Sequence, residues 1–272
     1  MKSIAASIST AFRENIDQLD WITPASKQGA FQKIDNLVLN IAYTGWVLDD
    51  AKLSEYYKKL GTVQTDTFLD QQDKVTAFSI YEMLFVLGTP VDRTIFANEI
   101  YITNAWDNVE LNSVSIPAGI LNGPFYDYNY PAAVNYGGIG SITGEEIALL
   151  FDSDGLQWDG TGVLNSWMDD SSMIGLTNMT QCVVNEYSNF CPLGPGNPCV
   201  NGTKTQAENV ADNGGLQAVY KAFKSFETLN GPDPLLPGAA SSFNAFGILI
   251  CPSISNDHPK SGTESSIQPG LP

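Results

Sequence analysis

Histidine occurs once in this 272-residue chain, at His258, and basic side chains are few, with 13 Lys and Arg against 30 Asp and Glu. The formal charge of −17 opposes binding to nucleic acid or to an anionic membrane surface, since both depend on neutralising phosphates with basic side chains. No window approaches the ~18 consecutive apolar residues of a membrane span, so no segment is expected to insert into a bilayer by itself. The stretch from Met1 to Ile8 lacks the apolar core of a signal peptide, because Ser residues interrupt it and Arg13-Glu14 follows soon after. Cysteine is sparse, with four residues at Cys182, Cys191, Cys199 and Cys251. Cys191 and Cys199 flank Pro192-Leu193-Gly194-Pro195-Gly196-Asn197-Pro198, a loop of turn formers able to bring the two sulfurs together, although sequence alone leaves connectivity open. Two N-glycosylation acceptors are spelled out, Asn178-Met179-Thr180 and Asn201-Gly202-Thr203, a pattern that also arises by chance.

What is present suffices for a core. Hydrophobic residues make up 43% of the chain and aromatics 11%, enough for one or two domains. Ile4, Ile8, Phe12 and Ile16, followed by Leu19, recur at helical spacing and predict an amphipathic helix. Phe31, Ile34, Leu37 or Val38, and Ile41 predict a second helix, and Leu53 to Leu60 a third. Phe78 through Val86 is apolar enough to be core and ends at Gly88-Thr89-Pro90. Val109 to Ile116 alternates in part and reads as strand. Glu208 and Asp212 stand one turn apart on a helix whose apolar stripe continues through Leu216, Val219, Tyr220, Phe223 and Phe226. The acids from Asp152 to Asp159 do not have EF-hand spacing and read as a solvated turn.

Several segments share their order and spacing with one family. Leu19 to Lys33, Asn104-Ala105, Pro117-Ala118-Gly119-Ile120-Leu121, Asn135-Tyr136-Gly137-Gly138-Ile139-Gly140, Phe151 to Trp167 and Glu208-Asn209-Val210-Ala211-Asp212 resemble segments of the neprilysin and endothelin-converting-enzyme family of zinc metallopeptidases. In that family a helix reading roughly G-H-E-I-T-H-x-F-D carries two zinc-binding histidines one turn apart, with the glutamate between them activating a water. The resemblance places Glu145 and Leu149 at the histidine positions and Glu146 at the catalytic glutamate. It makes Glu208 the surviving third ligand and Asp212 the acid that orients a ligand histidine. His258 falls where the family has an oxyanion-stabilising histidine, and Glu264 where it has a substrate-positioning arginine. Leu156 likewise replaces a family arginine. Asn104 and Ala105 correspond to the edge-strand pair that holds an extended peptide substrate.

The resemblance implies a mainly α member of the α+β class, with a zincin-like (thermolysin-like) catalytic lobe containing a small sheet, preceded by part of a helical lobe. Residues 1–98 are expected to be a remnant of the helical lobe that covers the cleft, so that the chain begins deep inside that lobe. Residues 99–272 are expected to be the catalytic lobe, with a poorly ordered tail over 253–272. Cys182 and Cys251 are expected not to pair as in relatives, and to be free, mispaired or joined to each other.

Leu149 offers no lone pair, and carboxylates suit hard cations better than tetrahedral zinc. The chain therefore reads as an inactive peptidase homologue with a residual peptide-binding cleft and no expected cofactor, zinc being the family's metal. Two alternatives remain at this stage: an active metalloendopeptidase with a carboxylate-rich site, and a non-functional gene fragment. Peptides are the partners the resemblance suggests, and the cell surface or exterior is the location it suggests.

Overall fold

The computed structural model describes residues 1–96, 99–192, 198–238, 241–242 and 246–247. Helix α1 spans Lys2–Gln18 and buries Ala5, Ile8, Ala11, Phe12 and Ile16, the stripe its spacing predicts. Helix α2 spans Pro24–Asp35, with Pro24 in its first turn and the Thr23 side chain accepting from the Ser26 backbone N–H. That combination fixes a helix start, because proline gives up an amide that has no partner there and threonine satisfies another.

The second helix ends sooner than its pattern predicts. Val38–Ala42 is strand β1, so Val38 and Ile41 belong to a sheet. Their spacing fits a helical stripe, but β-branched side chains also suit a pleated surface, and a neighbouring strand decides the outcome. Helices α3, Asp50–Tyr57, and α4, Phe68–Phe85, follow. Strands β2, Trp106–Asn108, and β3, Ser113–Pro117, complete a three-stranded sheet in the order β1-β3-β2. β1 runs parallel to β3 with Val38 opposite Ser113, and β2 runs antiparallel with Trp106 opposite Ser115. Every residue of β3 is buried, as its central place requires.

The expectation that Phe78 to Val86 is core is corrected by the structure. No residue of α4 is buried, and Met83, Leu84, Phe85, Val86 and Leu87 are all more than half exposed. The contacts of α4 include Phe78 against Tyr56 and Tyr57 of α3 and the short 3-10 turns that follow α3 and α4. Apolarity alone did not place this helix in the interior.

The interior is built on α5, Ala132–Asn135, a π-helical turn over Tyr136–Gly140, α6, Ser141–Leu149, α7, Asp170–Ser188, and α8, Gln206–Asn230. α6 crosses α8 at two glycines. A Cβ on Gly215 would lie 2.5 Å from the Gly144 carbonyl carbon, and one on Gly144 would lie 2.8 Å from the Gly215 oxygen. Only glycine permits this backbone-to-backbone approach. Around the crossing pack α1, Val219, Phe223, Tyr136 and Phe246.

Two polar devices bind the first 42 residues into the same core. Lys33 is fully buried, and its Nζ donates at 2.8 Å to each of the Gly155 and Trp158 carbonyls. Asp169 caps α7 by accepting from the Ser172 N–H, and also accepts from the Thr23 and Ser26 hydroxyls at the start of α2. Those hydrogen bonds hold its carboxyl well below the usual carboxylate range. Cys191 and Cys199 form a disulfide, and Cys182 is exposed on α7 and unpaired among the described residues. Cys251 lies outside the described residues.

Candidate functional site

The π-helical turn before α6 adds a residue to the local ladder, and such turns frequently sit at functional sites. It delivers Glu145, Glu146 and Leu149 onto the helix that meets α8 at Gly144 and Gly215. On α8, Glu208 and Asp212 lie one turn apart and both are exposed. The tight crossing is therefore what makes the acids of the two helices neighbours.

Their electrostatics follow from that proximity. Glu146 is 9% exposed, and its carboxyl is pushed up to about 8, chiefly by burial and then by the Asp107 and Glu145 charges, with the Asp107 backbone N–H opposing. Glu145 is pushed up to about 7 by burial, Asp212 and Glu208. Asp212, although its side chain reaches solvent, is also raised, by the loss of hydration on the side facing the protein and by Glu208. Removing carboxylates from water and grouping like charges both favour the protonated form.

Asp107 is a member of this group that the sequence reading did not single out. It sits in β2 and is pushed up to about 6 by burial first and then by Asp152, while Lys33 opposes. The sequence reading began its strand at Val109, two residues beyond Asp107, so nothing in the local pattern marked this carboxylate. Asn104 is exposed and Ala105 buried, immediately before β2 at the edge of the sheet. Beside them, Trp106 Nε1 is buried with no hydrogen-bond partner among the described residues.

Other sequence-selected residues lie elsewhere. Leu156 is buried in a short 3-10 turn. Asp152 accepts from the Asp154 and Gly155 amides, and Asp159 from Thr161, Val163 and Asn165, so these carboxylates hold their own turns together. His258 and Glu264, with the tail over 253–272, lie outside the described residues. A cavity of about 160 Å³ opens between α7 and α8, lined by Phe151, Met173, Leu176, Thr180, Gln206 and Val210. Gln206 and Val210 point to the opposite side of α8 from Glu208 and Asp212, since two residues along a helix turn through about 200°.

The donor set does not fit zinc. Tetrahedral zinc sites rely on histidine and cysteine with at most some carboxylate, and the donors gathered here are carboxylates with Leu149 at the one-turn spacing from Glu145. Among the described residues no three His, Cys, Asp or Glu side chains are placed to hold one metal ion.

The sequence profile described as Peptidase family M13 matches residues 104–244. The chain is 35% identical over 238 residues to Neprilysin-1 of Caenorhabditis elegans, covering 87% of this chain and 31% of that protein. It is 33% identical over 240 residues to Endothelin-converting enzyme 1 of Homo sapiens, again covering 87% of this chain and 31% of that protein. It thus spans about a third of the length of these relatives. Among solved structures, the zinc metalloprotease of Mycobacterium tuberculosis in complex with an inhibitor superposes with a TM-score of 0.77 at 30% identity, over 92% of this chain and 37% of that one. The Haemonchus galactose-containing glycoprotein complex superposes with a TM-score of 0.81 at 31% identity, over 93% of this chain and 40% of that one.

Proposed function

Because this chain belongs to peptidase family M13, we propose that it is a neprilysin-type homologue in which zinc-dependent hydrolysis has been lost and a peptide-binding edge kept. The observation that carries the reading is the pair Glu145 and Leu149, one turn apart on α6, at the positions where the family resemblance puts metal-binding histidines.

The chemistry fails at two linked steps. A bound zinc lowers the pKa of its water from 15.7 to about 7, and only then can a neighbouring carboxylate take the proton. Glu146, the residue in the base position, is nearly buried among acids and is pushed up to about 8. Burial and the neighbouring acids favour its protonated form, in which it is a poor proton acceptor. Asp212 faces Glu208 and Glu145, where the resemblance implies a ligand histidine for it to orient.

Binding places fewer demands on the chain. β2 is an edge strand among the described residues, and an extended peptide can add to a sheet edge through main-chain hydrogen bonds. Asn104, exposed just ahead of it, with Ala105, is assigned to holding that peptide. The assignment of residues 1–98 to a remnant of a cleft-covering lobe belongs to the same proposal, although α1 and β1 are bedded in the core that also holds α6, α8 and β3. The Cys191–Cys199 bridge supports an extracellular or lumenal setting, since disulfides persist in oxidising compartments. No described helix is long and apolar enough to cross a membrane.

The test replaces Glu145→His and Leu149→His together and measures bound zinc by mass spectrometry beside peptide cleavage. The unmodified chain is expected to bind no stoichiometric zinc and to cleave nothing in a chelator-sensitive way, with zinc appearing in the double variant. Stoichiometric zinc with chelator-sensitive cleavage in the unmodified chain would overturn the reading.

A further inference from the structure

The turn that leads into α8 holds one of the two glycosylation sequons, Asn201-Gly202-Thr203. Asn201 and Thr203 are exposed and Gly202 is buried. A Cβ on Gly202 would lie 2.3 Å from the Val184 carbonyl oxygen and 2.7 Å from Ser188 Oγ, so the turn is seated on α7 with its flanking side chains directed outward. The turn is closed by Lys204 and Thr205 amides donating to the Asn201 carbonyl, and by the Lys204 N–H donating to Asn201 Oδ1 at 3.0 Å. The side-chain carbonyl is thereby held by the turn, on a residue that is itself exposed.

Two residues earlier the Cys191–Cys199 disulfide ends, and the Val200 N–H donates to the Phe190 carbonyl at 2.9 Å. A bridge of this kind is made in the oxidising compartment where nascent secreted chains also receive N-linked sugar. We propose that Asn201 carries an N-linked oligosaccharide, added in the same compartment that closes the Cys191–Cys199 bridge. This modification is independent of whether the chain hydrolyses peptides.

The step balances without any redox change. Asn201 Nδ2 attacks the anomeric carbon of the first sugar of a polyprenyl-diphosphate-linked oligosaccharide supplied by the secreting cell. The new N–C bond replaces the sugar's C–O bond to the diphosphate. The amide gives up one proton, and the polyprenyl diphosphate leaves.

The second sequon is presented differently. Asn178 and Thr180 lie within α7, where residues two apart point to nearly opposite sides, and Thr180 lines the cavity against α8. That sequon is open to a transferase only before α7 forms, whereas the one at Asn201 lies outside any helix and is open before and after folding.

The experiment secretes the full chain from insect cells behind a cleavable leader and releases glycans with peptide N-glycosidase in heavy-oxygen water. Non-reducing peptide mapping then follows Cys191–Cys199 in the same material. Asn201 is expected to return as heavy-oxygen aspartate in protein whose bridge is closed. Asn201→Gln and Thr203→Ala should each remove one step of electrophoretic mobility, and Thr203→Ser should keep it. Thr203→Ala leaves the hydrogen bonds of the Asn201 turn in place, so its result separates loss of the acceptor from misfolding. Recovery of unmodified Asn201, with or without a closed bridge, or sugar confined to Asn178, would overturn the proposal.

Discussion

Helices α4 and α6 are both rich in apolar residues and have opposite fates. α4 buries none of its 18 residues, although Phe85 and Leu84 are among them, while the nine-residue α6 buries even a glutamate, Glu146. The difference lies in the partner. α6 has Gly144 facing Gly215 of α8, which lets the two backbones touch and closes water out over whatever side chains happen to flank the crossing. Among the described residues, no element approaches α4 so closely along its length. Burial here follows from how nearly another element can approach, and the hydrophobic content of a segment is only one contributor.

The sharpest way to break the contrast is to deny α6 its close approach. Gly215→Val puts a branched side chain where a Cβ already meets backbone at 2.5 Å, and backbone cannot rotate away. Overpacking of this kind is expected to cost about 3 kcal/mol, the upper end of the usual range, read as a lower urea midpoint at unchanged slope. A Cβ on the adjacent Gly214 would meet nothing within 4 Å. Gly214→Ala should therefore stabilise α8 by about 1 kcal/mol through helix propensity alone. Equal losses at both positions would refute the close-crossing account.

A smaller effect should appear on titration. Glu145, Glu146 and Asp107 have folded-state values of about 7, 8 and 6, above their ordinary 4.5, 4.5 and 3.8. The folded chain then binds more protons than the unfolded chain from roughly pH 4 to pH 8, so stability falls as pH rises across that window. Lys33 acts in the other sense, because its value drops from 10.5 to about 8 and stability recovers between those limits. Melting temperature should decline from about pH 5 to a minimum near pH 8, and Glu146→Gln should flatten the decline. An unaltered melting temperature across pH 5 to 8 in the parent chain would show these acids to be solvated.

The smallest expected effect belongs to α4. Leu84→Ser with Phe85→Ser should change global stability by less than ~0.5 kcal/mol, as exposed sites generally do. A loss comparable to that of Gly215→Val would mean that α4 is covered in solution.

The same contrast explains which parts of the fold were legible in the sequence. α1 was legible because Ile8, Phe12 and Ile16 sit at four-residue spacing and all three are buried, and the stripe on α8 was legible in the same way through Val219 and Phe223. The loop between Cys191 and Cys199 left its pairing open, and the structure closes it. β1 was not legible, since Ile34, Val38 and Ile41 satisfy a helical period and the deciding contact, with Ser113 to Pro117, lies about 75 residues away in the chain. The exposure of α4 was hidden for the complementary reason that a sequence records apolar side chains and not the absence of a cover. At the candidate site, Glu145, Glu146, Glu208 and Asp212 were singled out by the family resemblance, and α6 and α8 bring Glu145 beside Glu208 and Asp212. Asp107 was missed because its proximity to Glu146 is created only by the sheet.

Lys33 carries a consequence for chemical labelling. A lysine whose ammonium is pushed down to about 8 has far more free amine at mildly alkaline pH than an ordinary surface lysine, and free amine is the form that acylating reagents attack. Yet its nitrogen is fully enclosed and held by the Gly155 and Trp158 carbonyls. Its acylation therefore waits on an opening that separates α2 from the segment after α6, and the rate of that one modification becomes a clock for the breathing of the whole core.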